Sequence, residues 1–410
     1  AGSRGDVQPI AALSRGLQDA GHEVLIATHE RFRPLVESEG LAFRPLPGDP
    51  LEMLESPTGQ AWVRSGRNSF SFLLNYIQLT RPTLPALLRA SQRAVEGADL
   101  IVFTPFAPAG LHLAEAMGIP VAMAALQPFH PTGEFPAMGA VGTVGLPWLN
   151  RISHRVTDLL LWLPFRDLIN RWRVDDLDLR PWSLTGPLAR MEANRTPTIY
   201  GYSPSVIRRP KDWGPWIEVT GYWFLDRKSG WRPPERLRRF LGEGDPPIYV
   251  GFGSMVSGEG NRLELALAQV VRKLGCRAVL QRGWEGIPDS SLGNHVLTIG
   301  SVPHDWLFPR VAAVVHHGGA GTTGAGLRAG VPSVLIPHFA DQFLWADKVH
   351  SIGAGPAPIP LQGLDGDRLV ASIKQVLSSG SIRSRAAAVG AAVRAESGVS
   401  SAVEILSRLD

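Results

Sequence analysis

Short apolar runs alternate with amphipathic helical stretches along two separate parts of this chain, and this alternation constrains the fold more than any other feature. The first series has runs at 24–27, 100–103 and 121–124. The second series has runs at 248–250, 278–280, 296–299, 311–315 and 334–336. Continuous apolar runs of this length are typical of strands buried on both faces, and strands separated by helices pair in parallel. The sequence therefore predicts an α/β protein with two parallel-sheet domains.

A segment rich in Arg, Pro and Gly lies between the two series and predicts the boundary between the domains. A chain of 410 residues is also long enough for two hydrophobic cores. The predicted division is an N-terminal domain at 1–225, a linker at 226–247, a C-terminal domain at 248–385 and C-terminal helices at 386–410. Because the chain opens on a loop of the kind that follows a strand, we expect a short strand before Ala1 in the natural protein.

Charge and cysteine content narrow the class of protein. The formal net charge is only +4 and the arginines are dispersed, so nucleic acid is not the expected partner. A single cysteine, Cys276, excludes an intrachain disulfide framework and fits a reducing cytoplasm. The longest apolar run, at 159–163, is far shorter than the ~20 residues that cross a bilayer. We expect no membrane span, while contact with a membrane surface stays open.

The densest motif is a glycine-rich stretch at 314–326, between two predicted strands. Gly319 and Gly321 let backbone N–H groups approach an anion closely, and the helix that follows points its positive end at the same place. Thr322 and Thr323 add hydroxyl donors, and His317 adds a further donor or a positive charge. The motif predicts a binding site for a diphosphate.

The same glycines also allow a dinucleotide-binding interpretation. Gly319, Gly321 and Gly324 spell G-x-G-x-x-G, and Asp341 lies at about the distance expected of a ribose-binding acid. Against an NAD site, the motif lies deep in the second domain and follows two histidines. Asp341 also comes after the end of its strand rather than on it, so the diphosphate interpretation is favoured.

Two carboxylates are candidates for sugar binding and for catalysis. Asp341 and Gln342 place a carboxylate beside an amide, which suits the vicinal hydroxyls of a hexose. Asp6 lies where a parallel sheet places its ligands, facing the cleft between the domains, and an aspartate there can act as general base. Each aspartate has a structural alternative as the cap of the helix that follows it, and for Asp6 the position alone leaves the two interpretations even.

Two pairs of acids suggest a metal-dependent reaction at first sight, at 176–178 and at 365–367. The first pair lies among arginines and the second precedes a helical run where acids are common caps, so we interpret both as surface residues. The remaining histidines lack the spacing of metal ligands. No metal is expected.

Several motifs together resemble family 1 glycosyltransferases of the GT-B fold. Among them, the chain resembles the sterol 3-beta-glucosyltransferases and the bacterial transferases that glycosylate glycopeptides and macrolides. The resemblance spans nearly the whole chain in the family's order. Its motifs are GSRGDVQP at 2–9, VTGYW at 219–223, YVGFGSM at 249–255, PHDWLF at 303–308, HHGGAGTT at 316–323 and DQF at 341–343.

The resemblance implies two Rossmann-like domains that face a cleft, with C-terminal helices packing back on the first domain. It implies an inverting, metal-independent transfer in which Asp6 is the base and Asp341 and Gln342 contact the sugar. The residues it implies for the diphosphate are Ser254, His317, Thr322 and Thr323. Many relatives have a base-stacking tryptophan where this chain has Ser301, so backbone groups at Val302 or the rings of Trp284 or Trp306 are the expected substitutes.

The acceptor side depends on composition and analogy. Met123, Phe129, His130 and Trp162 are the expected lining of an apolar pocket for a sterol, terpenoid, polyketide or flavonoid. The alternative is that these side chains fill the core of the first domain.

The expected partners are therefore a nucleotide-sugar donor, with UDP-glucose implied by the resemblance, and a lipophilic acceptor. No cofactor and no nucleic acid are expected, and the chain is expected to be a monomer or a weak dimer. Two other functions stay open: a catalytically silent nucleotide-binding protein on this fold, and a nucleoside diphosphate sugar epimerase.

Overall fold

A computed structural model describes residues 2–66, 68–138, 140, 146–252, 260–281 and 295–409. The chain divides into two compact units. Unit 1 comprises Ala1–Leu225 together with Glu396–Asp410, and unit 2 comprises Asp226–Ala395. The predicted boundary near residue 225 and the division found in the structure lie at the same place.

Unit 1 is built on parallel strands, as the alternation predicts. Its described strands are β1 (Leu25–His29), β2 (Ala42–Leu46), β3 (Ile101–Phe103), β4 (Val121–Ala125), β5 (Thr198–Tyr200) and β6 (Ile217–Val219). β1 pairs with β2, and β3 to β6 form a second sheet in the order β3-β4-β5-β6. Within that sheet Phe103 lies opposite Met123, which in turn lies opposite Thr198.

The helices of unit 1 cover these sheets and fill the long segment between β4 and β5. They are α1 (Arg4–Asp19), α2 (Arg33–Ser38), α3 (Pro50–Glu55), α4 (Pro57–Arg64), α5 (Ser69–Thr80), α6 (Leu84–Ala94), α7 (Ala109–Met117), α8 (Pro147–Trp162), α9 (Arg166–Asp175) and α10 (Pro187–Ala193). Val7 and Ala11 of α1 pack with Ile26 of β1 in one hydrophobic cluster, which ties the first helix to the first sheet.

Unit 2 contains a parallel sheet in the order β11-β10-β7-β8-β9. Its strands are β7 (Ile248–Gly251), β8 (Ala278–Gln281), β9 (Val296–Ile299), β10 (Ala313–His316) and β11 (Ser333–Leu335). Val315 packs into the core on one face of the sheet and Val314 into the core on the other face. β8 and β9 follow β7 toward one edge of the sheet, and the chain then returns to place β10 and β11 on the other side of β7. The switch point of the sheet therefore lies between β7 and β10, and ligands of such sheets bind there, at the carboxyl ends of the strands.

The helices of unit 2 are α11 (Glu235–Gly242), α12 (Gly260–Leu274), α13 (His304–Leu307), α14 (Ala320–Ala329), α15 (Gln342–Ser351), α16 (Gly366–Ser378) and α17 (Gly380–Arg394). α14 connects β10 to β11, so it begins at the switch point. No helix in the described ranges has the length and apolar character needed to cross a membrane.

The predicted linker at 226–247 is corrected by the structure, because this segment belongs to unit 2. Leu237 of α11 is fully buried, and Phe240 and Leu241 pack against the same cluster. The spacing of these three residues gives α11 one apolar face, which docks on the core of unit 2. Because many Arg, Pro and Gly residues surround α11, its apolar face was not recognised in the sequence.

The predicted block of C-terminal helices at 386–410 also divides differently. α17 begins earlier, at Gly380, and packs on α14 within unit 2. α18 (Gly398–Leu406) packs on α1 of unit 1, where Gly16 leaves room for Val399 and Val403. Only the last helix packs back on the first unit.

Candidate functional site

The loop between β10 and α14 is shaped by two adjacent glycines, Gly318 and Gly319. Gly318 has a φ of +93°, and its N–H donates to Nδ1 of His316 over 3.1 Å. A Cβ on Gly318 would lie 2.9 Å from the backbone oxygen of Gln342. A Cβ on Gly319 would lie 2.6 Å from Nε2 of His317. The glycines therefore let the loop pass close to the start of α15 and bring the His317 ring over the first turn of α14.

The start of α14 presents backbone donors with no side chain over them. Gly319 is the residue before the helix, so no side chain caps the first turn. The first intrahelical bond runs from the N–H of Thr323 to the oxygen of Gly319 over 2.9 Å, and the N–H groups before it have no acceptor within the helix. Gly321 is exposed, with open space where a Cβ would stand. This end of the helix is suited to an anion.

Buried polar atoms without partners surround the same loop. Within the described residues no hydrogen bond reaches Oγ1 of Thr323, Nδ1 of His317 or either ring nitrogen of His338. The rings of His317 and His338 lie 6.4 Å apart. Since buried polar groups are normally satisfied, this concentration indicates a place built to hydrogen-bond a polar ligand.

The histidines of the site are neutral donors and acceptors at physiological pH. Burial lowers the pKa of His317 to about 4. Burial and the nearby His317 lower the pKa of His338 to about 3, and burial holds the pKa of His316 well below its ordinary value. Of the two roles expected for His317, the structure favours the hydrogen-bond donor over the positive charge.

Asp341 and Gln342 lie at the corner between β11 and α15, next to the glycine loop. Asp341 occupies the cap position of α15, yet its side chain makes no capping hydrogen bond and Oδ2 accepts the indole N–H of Trp345 over 3.1 Å. Oε1 of Gln342 accepts the backbone N–H of His338 over 2.9 Å. The preceding Ala340 has a φ of +54°, an uncommon conformation for a residue with a Cβ. The corner is held tightly by its own side chains, and the close approach of Gly318 to Gln342 joins it to the glycine loop.

The residues expected at the nucleobase are only partly described. Val302 is buried just after β9, at the edge of the sheet opposite to β11. Trp306 packs against Trp231 at 5.3 Å, with the guanidinium of Arg310 over its ring at 4.7 Å. Its ring is partly buried and already has these two partners, which disfavours it as a base-stacking residue. Ser254 and Trp284 lie outside the described residues.

Asp6 lies in the first turn of α1 in unit 1. Its Oδ2 accepts the N–H of Ser3 over 2.7 Å and the hydroxyl of Ser3 over 2.8 Å. Ser3 is therefore the N-cap residue of α1, and Asp6, three residues later, is the acidic residue that bonds back to it. Burial raises the pKa of Asp6, while the hydrogen bonds from Ser3 oppose that rise. One carboxylate oxygen is committed to the helix, and within the described part of the chain Oδ1 receives no hydrogen bond from another residue.

The residues expected at the acceptor fall into two groups. The hydroxyl of Tyr200 accepts the N–H groups of Phe129 and His130 over 3.0 and 3.1 Å, and it pairs with Nδ1 of His130 at 2.7 Å. Met123 is buried within β4, just before this loop. Trp162 instead packs on Trp182 at 5.7 Å, at the end of α8. The structure thus joins Phe129 and His130 after β4 and gives Trp162 a structural role in a separate aromatic cluster.

Three residues of these sites were missed in the sequence. His338 follows β11, the neighbour of β10, so its place at the carboxyl end of a strand was a signal that it joins the site. Ser3 three residues before Asp6 is the spacing of a reciprocal helix cap. The role of Tyr200 depends on a contact 70 residues away in sequence, which no local pattern shows.

Two family models match the chain. The N-terminal domain of glycosyltransferase family 28 matches residues 1–136, and the C-terminal domain of the erythromycin biosynthesis protein CIII-like family matches residues 279–409. The second match includes β10, the glycine loop, α14 and α15.

Similar proteins are found among fungal and plant enzymes. A sterol 3-beta-glucosyltransferase of Neosartorya fischeri is 37% identical over 99% of this chain, and a sterol 3-beta-glucosyltransferase of Arabidopsis thaliana is 35% identical over 99% of it. The chain spans 29% of the fungal relative's length and 66% of the plant relative's length.

Solved structures show the same fold at low identity. The glycotransferase of kitacinnamycin has a TM-score of 0.73 at 20% identity, with 99% of this chain and 96% of that chain covered. The glycosyltransferase VinC in complex with dTDP has a TM-score of 0.66 at 20% identity, with 99% of this chain and 97% of that chain covered.

Proposed function

We infer the reaction from the premise that this chain belongs to the family 1 glycosyltransferases of the GT-B fold. We propose that it transfers a hexose from a nucleoside diphosphate sugar to a hydroxyl group of a lipophilic molecule, with UDP-glucose as the donor and a sterol as the acceptor. The sterol is proposed from the names of the fungal and plant relatives. The observation that carries the proposal is the set of donors around the start of α14 that have no partner among the described residues.

The donor's diphosphate binds at the loop between β10 and α14 in this proposal. The free N–H groups at the start of α14 and the Thr323 hydroxyl donate to phosphate oxygens, and the helix dipole favours their charge. Neutral His317 donates one further hydrogen bond. The same contacts stabilise the charge that develops on the departing diphosphate.

The sugar binds at the neighbouring corner, where the carboxylate of Asp341 and the amide N–H₂ of Gln342 contact its hydroxyl groups. Because Oε1 of Gln342 is already occupied by the His338 N–H, its amide nitrogen is the group assigned to the sugar. Asp341 accepts hydrogen bonds from vicinal hydroxyls.

Asp6 is the proposed general base. Its carboxylate takes the proton of the acceptor hydroxyl as that oxygen bonds to the anomeric carbon, while the bond from this carbon to the diphosphate oxygen breaks. A single displacement inverts the anomeric configuration. The raised pKa of Asp6 makes it a stronger base than an exposed aspartate.

No cofactor and no metal have a step in this mechanism, since donors of unit 2 hold the diphosphate. The transfer is therefore expected to continue in the presence of EDTA. A strict requirement for a divalent cation, restored by adding Mg²⁺ back, would contradict this part of the proposal. The reducing cytoplasm remains the proposed compartment, from the single cysteine.

The test is a transfer assay on the full chain with a panel of nucleotide sugars and lipophilic alcohols, read by mass spectrometry. The expected result is a product heavier than a sterol by one hexose residue, formed with UDP-glucose. Conversion of the nucleotide sugar without an acceptor would favour the epimerase alternative. Tight nucleotide binding with no product from any acceptor would favour a catalytically silent protein.

A further inference from the structure

α8 of unit 1 is built with its polar side buried and its apolar side exposed. The buried side chains are Asn150, His154, Asp158 and Trp162, which recur every fourth residue. The exposed side chains at the same spacing are Trp148, Ile152, Val156 and Leu160, with Leu159 and Leu163 beside them. A helix on the surface of a water-soluble domain normally has the opposite arrangement.

The buried polar side of α8 is satisfied by the unit itself. The amide of Asn150 donates to the oxygen of Gly133 over 2.8 Å, and a ring nitrogen of His154 lies 3.1 Å from the oxygen of Phe135. Asp158 accepts the N–H of Leu188 over 3.3 Å, at the start of α10. These contacts fix the rotation of α8, so its apolar side cannot turn inward without breaking them.

The exposed apolar side chains recur along the whole length of α8. Trp148 is 57% exposed, Ile152 is 46% exposed and Leu160 is 48% exposed. α5 approaches the end of α8, where its Tyr76 packs edge-on against Phe165. Contiguous apolar surface of this kind marks an interaction site. We call the exposed apolar residues of α8 the apolar stripe.

The exposed charged residues of α8 beside the apolar stripe are arginines. Arg151 and Arg155 each precede a stripe residue and are exposed, and the one acid of α8, Asp158, is buried. Arg151 pairs with Asp212 at 2.8 Å, which leaves the charge of Arg155 as the larger contribution. A helix that exposes apolar side chains, a tryptophan and arginines has the composition of one that lies in a membrane interface.

We propose that the apolar stripe of α8 docks on the surface of a lipid bilayer that contains anionic phospholipids. The apolar side chains enter the boundary between headgroups and acyl chains, and Arg155 reaches the phosphates. A second copy of the chain is a poorer occupant. A symmetric contact would bring the same arginines to both sides with no exposed acid of α8 to pair with them. The inference depends on exposure and charge in unit 1 and is independent of the proposed reaction.

The experiment is sedimentation of the full chain with vesicles of phosphatidylcholine, with and without phosphatidylglycerol, in the absence of donor and acceptor. The double variant Ile152→Gln and Leu160→Gln should partition about tenfold or more weakly onto the mixed vesicles, since two apolar side chains no longer enter the bilayer. Arg155→Glu should weaken binding about fivefold or more to the mixed vesicles only. The exposed leucine of α12 gives a matched control, Leu265→Gln, which should bind like the unaltered chain.

Each contrary outcome overturns the proposal. The unaltered chain could stay in solution with both kinds of vesicle, or the double variant could bind as well as the control. A dimer in analytical ultracentrifugation that only the double variant dissociates would assign the stripe to a second copy. Circular dichroism and thermal melting of each variant check that folding is unchanged. Because no sugar is transferred in this experiment, its failure leaves the proposed reaction untouched.

Discussion

The two helices that carry the proposed chemistry, α1 and α14, begin in opposite ways. At α1 the hydroxyl and N–H of Ser3 close on the carboxylate of Asp6, so the helix start is satisfied by its own residues. At α14 the preceding residue is Gly319, no side chain covers the first turn, and the hydroxyl of Thr323 is buried without a partner in the described chain. The first arrangement closes the helix start on the carboxylate proposed as the base, and the second leaves the donors of the helix start without a side-chain cap.

The largest effect is expected from Asp6→Asn in α1. The amide keeps an oxygen for the N–H of Ser3 but cannot take a proton, so the rate of sugar transfer should fall about 10²- to 10⁴-fold. Donor affinity should stay unchanged, because the diphosphate loop is in unit 2. Steady-state kinetics and calorimetry with UDP measure the two quantities.

Two controls separate the base from the helix cap. Asp19→Asn, at the other end of α1, should leave the rate unchanged. Ser3→Ala should lower the free energy of unfolding by about 0.5–2 kcal/mol and leave transfer largely intact. Equal losses of rate in Ser3→Ala and Asp6→Asn would reduce Asp6 to a structural residue.

The next effect is on folding, from Gly318→Ala before α14. The left-handed φ and the 2.9 Å approach of the added Cβ to the Gln342 oxygen should lower the free energy of unfolding by about 1–3 kcal/mol. Gly321→Ala is the matched control, since its Cβ would meet open space. Chemical denaturation should show a loss for the first variant alone, and equal stabilities would contradict the described shape of the loop.

A smaller effect is expected from His317→Ala. Loss of one neutral hydrogen bond to the diphosphate should weaken UDP binding about tenfold, or ~1.5 kcal/mol. His350→Ala, an exposed histidine of α15, is the control and should bind like the unaltered chain. Wild-type affinity in the His317 variant, measured by calorimetry, would remove this side chain from the site.

The smallest effect is expected from Thr323→Val, which should stabilise the fold and weaken the binding of UDP. Thr323→Val replaces a buried hydroxyl that lacks a hydrogen-bond partner in the described ranges with a methyl group, so the free energy of unfolding should rise by about 1 kcal/mol while UDP binds more weakly. Thermal melts with and without UDP test both parts. A variant that is less stable and binds normally would show that the hydroxyl serves the fold.

The sequence predicted the sheets and the glycine loop because both depend on local pattern. The strands of unit 2 are short apolar runs. The adjacent glycines Gly318 and Gly319 indicate a tight loop directly from the sequence. The role of α11 was not predictable in this way, because one buried leucine, Leu237, among arginines and prolines carries little signal. The contact of Tyr200 with His130 joins distant segments, and the engagement of the Trp306 ring becomes visible only in the folded chain.

The packing of α18 on α1 has a consequence for the order of folding. α1 packs against Val399 and Val403, which the ribosome makes only after the whole of unit 2. Unit 2 is contiguous in sequence, whereas unit 1 is complete only when α18 has been synthesised. A stop codon just after α17 would therefore leave unit 1 incomplete, although most of that unit is made before unit 2.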